Sequence, residues 1–198
     1  MKKMNSKGFT LIELLAVITI MGILMLVAIP AVSRTIENSR RDTYMDTAKT
    51  YVNAIKNAVA SDEIECKKDS EAKYTLMSAL PTGNDYVYRF STIAATSGSN
   101  TIDATTATDL LEQGGKSSWG NAEVAGIIKI KKTVGGEGRT KYEYSIKMVD
   151  AGGRGFADYK PEGELRRTDV ATNGLNTQYA TIWVKANSET DCRIITGG

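Results

Sequence analysis

Glu13 is the only charged residue between Phe9 and Ile29, a run of 21 residues. A carboxylate inside so apolar a stretch is costly to solvate and needs a cationic or hydrogen-bonding partner, so it marks a functional position. Three lysines, Lys2, Lys3 and Lys7, precede the run, which begins abruptly after the small residue Gly8. The run is long enough to cross a bilayer as one helix. An ordinary secretory signal fits poorly, because its apolar core spans about 7–15 residues and closes on a small-x-small site. Here the core is longer, contains an acid and runs into Pro30. A plain anchor explains the length but neither Glu13 nor the Gly8–Phe9 junction.

Other residues with chemical potential are few. The chain of 198 residues has no histidine, which excludes histidine acid–base catalysis and histidine metal ligation. The lysines of the first eight residues place that end on the cytoplasmic side and the bulk of the chain outside. There the two cysteines, Cys66 and Cys192, can form a disulfide. It would tie the end of the N-terminal helix to the C-terminus and contribute roughly 4–5 kcal/mol by chain entropy. The alternative is two separate thiols; no CxxC pair suggests zinc or redox chemistry. The glycine-rich stretch Asp150 to Asp158 offers two carboxylates for a cation, Asp150 and Asp158. Its spacing fits no EF-hand and Arg154 opposes a cation, so a solvent-exposed turn is expected and no metal site. With no phosphate loop and no nucleophile elbow, neither a cofactor nor enzymatic activity is expected.

These residues need elements to position them. Ala31 to Ala60 contains no Gly or Pro, and Tyr44, Ala48, Tyr51, Ile55 and Ala58 or Val59 recur at steps of three and four. The pattern predicts one helix over 9–62, apolar over 9–29, amphipathic over 30–62, and bent near Gly22 and Pro30. Arg40 and Arg41 lie off the apolar stripe, available to acids of a neighbouring copy. Ser61 to Lys73 is charged and reads as a solvated connector. Residues 63–198 form the head. Its strands are expected at Tyr86–Phe90, Ala125–Lys132, Lys141–Val149 and Tyr179–Ala186. The middle two are joined by a hairpin loop over Thr133–Arg139. Ala94–Thr108 reads as loop, and Thr108–Gln113 as a helical turn. The fold expected is α+β: a long kinked helix packed on an antiparallel sheet of about four strands.

Lys7-Gly8-Phe9-Thr10-Leu11-Ile12-Glu13 resembles the prepilin signature of type IV pilins and pseudopilins, over about the first 25 residues of the chain. More loosely, the rest is similar in style to the pilins of Gram-positive bacteria. The resemblance implies a leader over 1–8, cut by a prepilin peptidase and N-methyltransferase between Gly8 and Phe9. It implies methylation of Phe9 and a role for Glu13 in subunit assembly. Gly22 and Pro30 stand where the family commonly has a Gly and a Pro. Loss of the leader lysines would take the formal charge from +2 to −1, which gives no basic field for specific nucleic-acid binding. A free amine at Phe9 and the Glu13 carboxylate would offset each other's desolvation. The i, i+4 spacing allows that pair within one helix, whereas the resemblance favours neighbouring subunits.

By resemblance, the function expected is that of a structural subunit of a type IV pilus. The chain would be single-pass in the cytoplasmic membrane before assembly, and extracellular in a filament afterwards. Such filaments serve adhesion, twitching motility or biofilm formation. The partners implied are other copies of the chain, the assembly platform and its ATPase, and a host or abiotic surface. Two alternatives stay open: a minor pilin or pseudopilin of a secretion or DNA-uptake system, and a monomeric anchored adhesin or sensor domain.

Overall fold

The computed structural model describes residues 9–68, 73–91, 95–97, 100–102, 116–120, 122–182 and 190–195. The chain divides into two units, residues 1–39 and 40–198. The leader, residues 1–8, lies outside the described residues.

A helix, α1, spans Leu11–Ala60 and contains Gly22 and Pro30. Its ends lie two residues inside the expected limits at each side, within ordinary fraying. In the first unit the apolar side chains are exposed all round the helix, so that stretch has no core of its own. The helix ends at Ala60, and Asp62 just beyond it adopts a left-handed backbone (φ 56°). The Glu63 N–H then donates back to the Ala58 carbonyl at 2.8 Å. Asp tolerates that conformation better than most non-glycine residues.

In the second unit the strands are β1 (Ile64–Lys68), β2 (Thr75–Leu76), β3 (Asp85–Ser91), β4 (Ala95–Ser97), β5 (Asn100–Ile102) and β6 (Val124–Val134). β7 (Thr140–Asp150), β8 (Gly155–Phe156), β9 (Lys160–Pro161), β10 (Val170–Ala171) and β11 (Thr190–Ile194) follow, with a short helix α2 (Asn176–Thr181) before β11. Among the described residues one sheet has nine strands, in the order β10-β8-β7-β6-β3-β11-β1-β2, with β9 on β7. β4 and β5 form a separate two-stranded pair.

The α+β architecture is as expected, but the sheet is larger and mixed. β11 lies parallel to β3, whereas its other neighbour, β1, is antiparallel. β1 falls in the segment expected to be a solvated connector; Ile64 and Cys66 point into the core while the charges of Glu65 and Lys67 alternate with them. The expected strand from Tyr179 is helical through Thr181, with residues 183–186 outside the described set. Parts of the expected Ala94–Thr108 loop are strands β4 and β5. The turn expected at Thr108–Gln113 lies outside the described residues. β6 and β7 extend beyond their expected ends, and their loop closes with the Gly135 N–H donating to the Arg139 carbonyl at 2.7 Å.

The main core lies between α1 and one face of the sheet. Tyr44, Ala48, Tyr51 and Ile55 meet sheet residues such as Tyr88, Phe90, Ile128 and Met148. Phe90 stacks on Tyr51 with ring centroids 4.2 Å apart, and it lies directly opposite Gly126 in the β3–β6 register. A second, smaller cluster covers the outer face, where Leu175 and Ile182 flank α2 over Val87, Ile127 and Val149.

Candidate assembly site at the helix N-terminus

The first turn of α1 is closed by its own side chains. The Thr10 N–H donates to Glu13 Oε2 at 2.8 Å, and the Thr10 hydroxyl donates to the same oxygen at 2.7 Å. The Glu13 N–H in turn points at Thr10 Oγ1, 3.4 Å away. This is a capping box, in which two otherwise orphaned backbone donors at a helix start are satisfied reciprocally. A negative side chain also suits the positive end of the helix dipole. Both side-chain-directed bonds to the carboxylate land on Oε2. Among the described residues no hydrogen bond reaches Oε1, so half of the carboxylate is available to a further donor.

Thr19, the other polar side chain before Ile29, bonds back to the carbonyls of Leu15 and Ala16 at 3.1 and 2.8 Å. Its hydroxyl therefore makes no demand on a partner when the segment leaves water. Phe9 precedes the helix and is 89% exposed. Gly8 lies outside the described residues. A Cβ at Gly22 would meet nothing within 4 Å.

The remaining residues singled out from the sequence lie in the second unit. Cys66 and Cys192 are directly opposite each other on β1 and β11 and are joined by a disulfide. Asp150 is fully buried, in contrast to the solvent-exposed turn expected. One oxygen accepts from the Arg154 N–H at 2.9 Å and the other from the Ser117 hydroxyl at 2.5 Å. The Arg154 guanidinium lies 3.8 Å from it. The carboxylate thus locks the glycine-rich turn onto the Ser117–Trp119 segment instead of facing a cation. Asp158 is exposed, and no cluster of metal-ligating side chains forms among the described residues. Arg40 is engaged through its carbonyl, which accepts from the Ser118 hydroxyl at 2.7 Å.

Three features went unread in the sequence. Thr10 is one; the Thr-x-x-Glu spacing was a sufficient signal for the cap. Asp42 is held by Arg167 in a two-pronged pair of 2.7 and 2.5 Å, and this hydrogen bonding keeps the Asp42 carboxyl below the usual carboxylate range. Lys132 is buried with its ammonium on the carbonyls of Met77, Ser78 and Leu80, at 3.0, 2.7 and 2.6 Å. Its place in the Ile128–Ile130–Lys132 alternation put it on the core face; the pairing partners are too remote to be read from the sequence.

A helix long and apolar enough to cross a membrane, with an acid in its capped first turn, followed by a head with its own core, fits anchoring in a membrane. Residues 3–29 match the family model described as the prokaryotic N-terminal methylation motif, so the chain carries a type IV pilin-like prepilin signature. No curated protein and no solved structure matches the chain.

Proposed function

We infer that this chain is the structural subunit of a type IV pilus. A peptidase cuts between Gly8 and Phe9, Phe9 is N-methylated, and the mature chain assembles through residues 9–29. Residues 63–198 form the head that coats the filament. The observation that supports this reading is the apolar segment 9–29, whose side chains are exposed throughout. Lipid covers it before assembly, and the same segments of other copies cover it afterwards. Burying about 20 apolar residues per subunit supplies tens of kcal/mol before entropic costs, roughly.

Glu13 gives that packing an axial register. An oxygen-only contact in an apolar bundle gains most from a cation, and the methylated Phe9 amine of a neighbouring copy is the cation of the right chemistry. The Thr10 cap supports this geometry, because it commits Oε2 and fixes the carboxylate on the first turn while Oε1 stays open. Gly22 and Pro30 are the positions where the helix yields to the packing.

The test is mass analysis of sheared surface filaments, with Glu13→Gln as the variant. Filaments should contain this chain beginning at methylated Phe9. The variant should be processed and anchored but recovered in filaments at least about ten-fold less. A chain that keeps Met1, or filaments that lack it, would overturn the reading.

A further inference from the structure

We propose that the Cys66–Cys192 disulfide is a redox latch on the C-terminal strand. With the bond intact, β11 stays between β1 and β3 of its own head. After reduction β11 leaves, and the vacated slot accepts β11 of a second copy.

The topology carries this. β11 is the last strand in the described chain, yet it sits inside the sheet, and β1 and β2 connect to the rest of the sheet only through it. Among the described residues the β11–β3 seam has three register pairs, Thr190 to Tyr86, Asp191 to Val87 and Cys192 to Tyr88. The β3–β6 seam has seven and the β6–β7 seam eleven. Parallel pairing is also slightly weaker per residue than antiparallel pairing. Among the described residues, a seam shorter than β3–β6 or β6–β7 therefore borders the strand that holds the margin of the sheet.

The disulfide secures β11 from the other side. It joins β11 to β1, which follows α1 after only three residues, Ser61–Glu63. Through it the C-terminal strand is bonded to the end of the helix around which the head is built. The bond closes a separation of 126 residues, and in the chain-entropy model a loop of that size shifts the folding equilibrium of the head by roughly a few thousand-fold.

Opening exposes unpaired backbone on β3 and on β1, and such edges recruit strands. The slot is selective. Arg89 on β3 pairs with Asp191, Glu65 on β1 pairs with Arg193, and Cys66 faces Cys192. Tyr74 also stacks under the Arg193 guanidinium at 3.8 Å. A strand that offers acid, thiol and arginine in that order is the β11 of another copy. This makes exchange between copies, a domain swap, the outcome of opening.

The redox step needs a dithiol reductant. One of its thiolates attacks a sulfur of the bond, the S–S bond breaks, and a mixed disulfide forms. The second thiolate resolves it. Both cysteines leave as protonated thiols, and the reductant leaves as its own disulfide.

The experiment uses the full chain in detergent micelles, oxidised or reduced with dithiothreitol, with the double variant C66A/C192A as a thiol-free open state. Hydrogen exchange should rise by about ten-fold or more in peptides covering β11, β1 and the β3 segment Tyr86–Tyr88, and stay unchanged in β6 and β7. Nitrogen-14 and nitrogen-15 chains are then mixed, reduced and re-oxidised, and the disulfide-linked peptides are weighed. Mixed-isotope Cys66–Cys192 links are expected, because both cysteines are buried and meet between copies only if β11 has moved. Unchanged exchange on reduction, a uniform rise that includes β6 and β7, or same-isotope links alone would each overturn the proposal.

Discussion

Replacing Gly126 by alanine sets two effects against each other. A glycine inside a strand is entropically costly, so alanine should add about 0.5–1 kcal/mol of stability on propensity alone. The structure reverses the sign. A Cβ at Gly126 would lie 2.2 Å from Cζ of Phe90, and 2.6 and 2.9 Å from its Cε atoms. Carbon atoms pack at about 3.5–4.0 Å, so the ring must retreat by more than 1 Å, roughly. It is fully buried and stacked on Tyr51, which is fully buried as well. Overpacking of this kind costs about 1–3 kcal/mol, and the severity of the overlap places Gly126→Ala at the upper end, about 3 kcal/mol.

The argument is sharper in a double-mutant cycle. Phe90→Ala alone should cost about 3–5 kcal/mol through the cavity it leaves. Once the ring is gone, the new methyl enters empty space, and Gly126→Ala should cost nothing or recover part of the loss. A coupling of at least about 2 kcal/mol follows. Urea titration of the full chain in detergent, followed by tryptophan fluorescence, should move the Gly126→Ala midpoint down by about 1–2 M. Costs that add within about 0.5 kcal/mol, or a stabilised Gly126→Ala variant, would refute the claim that the ring occupies the glycine's place.

Two further outcomes concern pH. Because Arg167 depresses the Asp42 pKa in the folded chain, the pair contributes stability above the unfolded carboxylate value of about 3.9 and loses it as pH falls through the folded value. Acid unfolding followed by circular dichroism should therefore be shallower below about pH 4 in Arg167→Ala, and identical slopes would contradict it. Burial pushes the Tyr144 phenol up to about 12, with Tyr142 and Glu162 adding to it. Stability should be full below the unfolded tyrosine value of about 10 and decline from there towards pH 12; Tyr144→Phe should make that decline shallower without removing it, because burial also raises Tyr44, Tyr142 and Tyr179, and tyrosinate absorbance and urea midpoints across this range would show it.

What could be read from the sequence depended on the length of each pattern. The stripe from Tyr44 to Ala58 repeats over four turns, and those residues are buried in the core. The alternation of Tyr142, Tyr144, Ile146 and Met148 lasted long enough to place one face of β7 on the core side. β1 and β11 alternate too, but each has only five residues with charges at its outward positions, and at β1 that pattern resembles a connector. β2, β8, β9 and β10 have two residues each, too few to carry any period. At Tyr179 the β-branched and aromatic residues suggested a strand. The spacing Leu175, Tyr179, Ile182, four and then three, is a helical stripe, and the apolar outer face of the sheet selected it. Glu13 stood out because a charge in an apolar run is conspicuous. Its hydrogen-bonding partner Thr10 did not, because a threonine there is unremarkable until the cap is recognised.

That cap also sets a boundary. α1 begins at Leu11, so Phe9 and Thr10 stand outside the helix. A hydrolase reads its substrate as extended chain, and a bond wound into a helix is withheld from it. The proposed cut between Gly8 and Phe9 falls two residues ahead of the first helical residue. The Thr10–Glu13 box caps the helix that starts at Leu11. On the proposed reading, one pair of side chains would mark where the leader ends and the mature chain begins, and the acid proposed for assembly would first serve as the ruler for maturation.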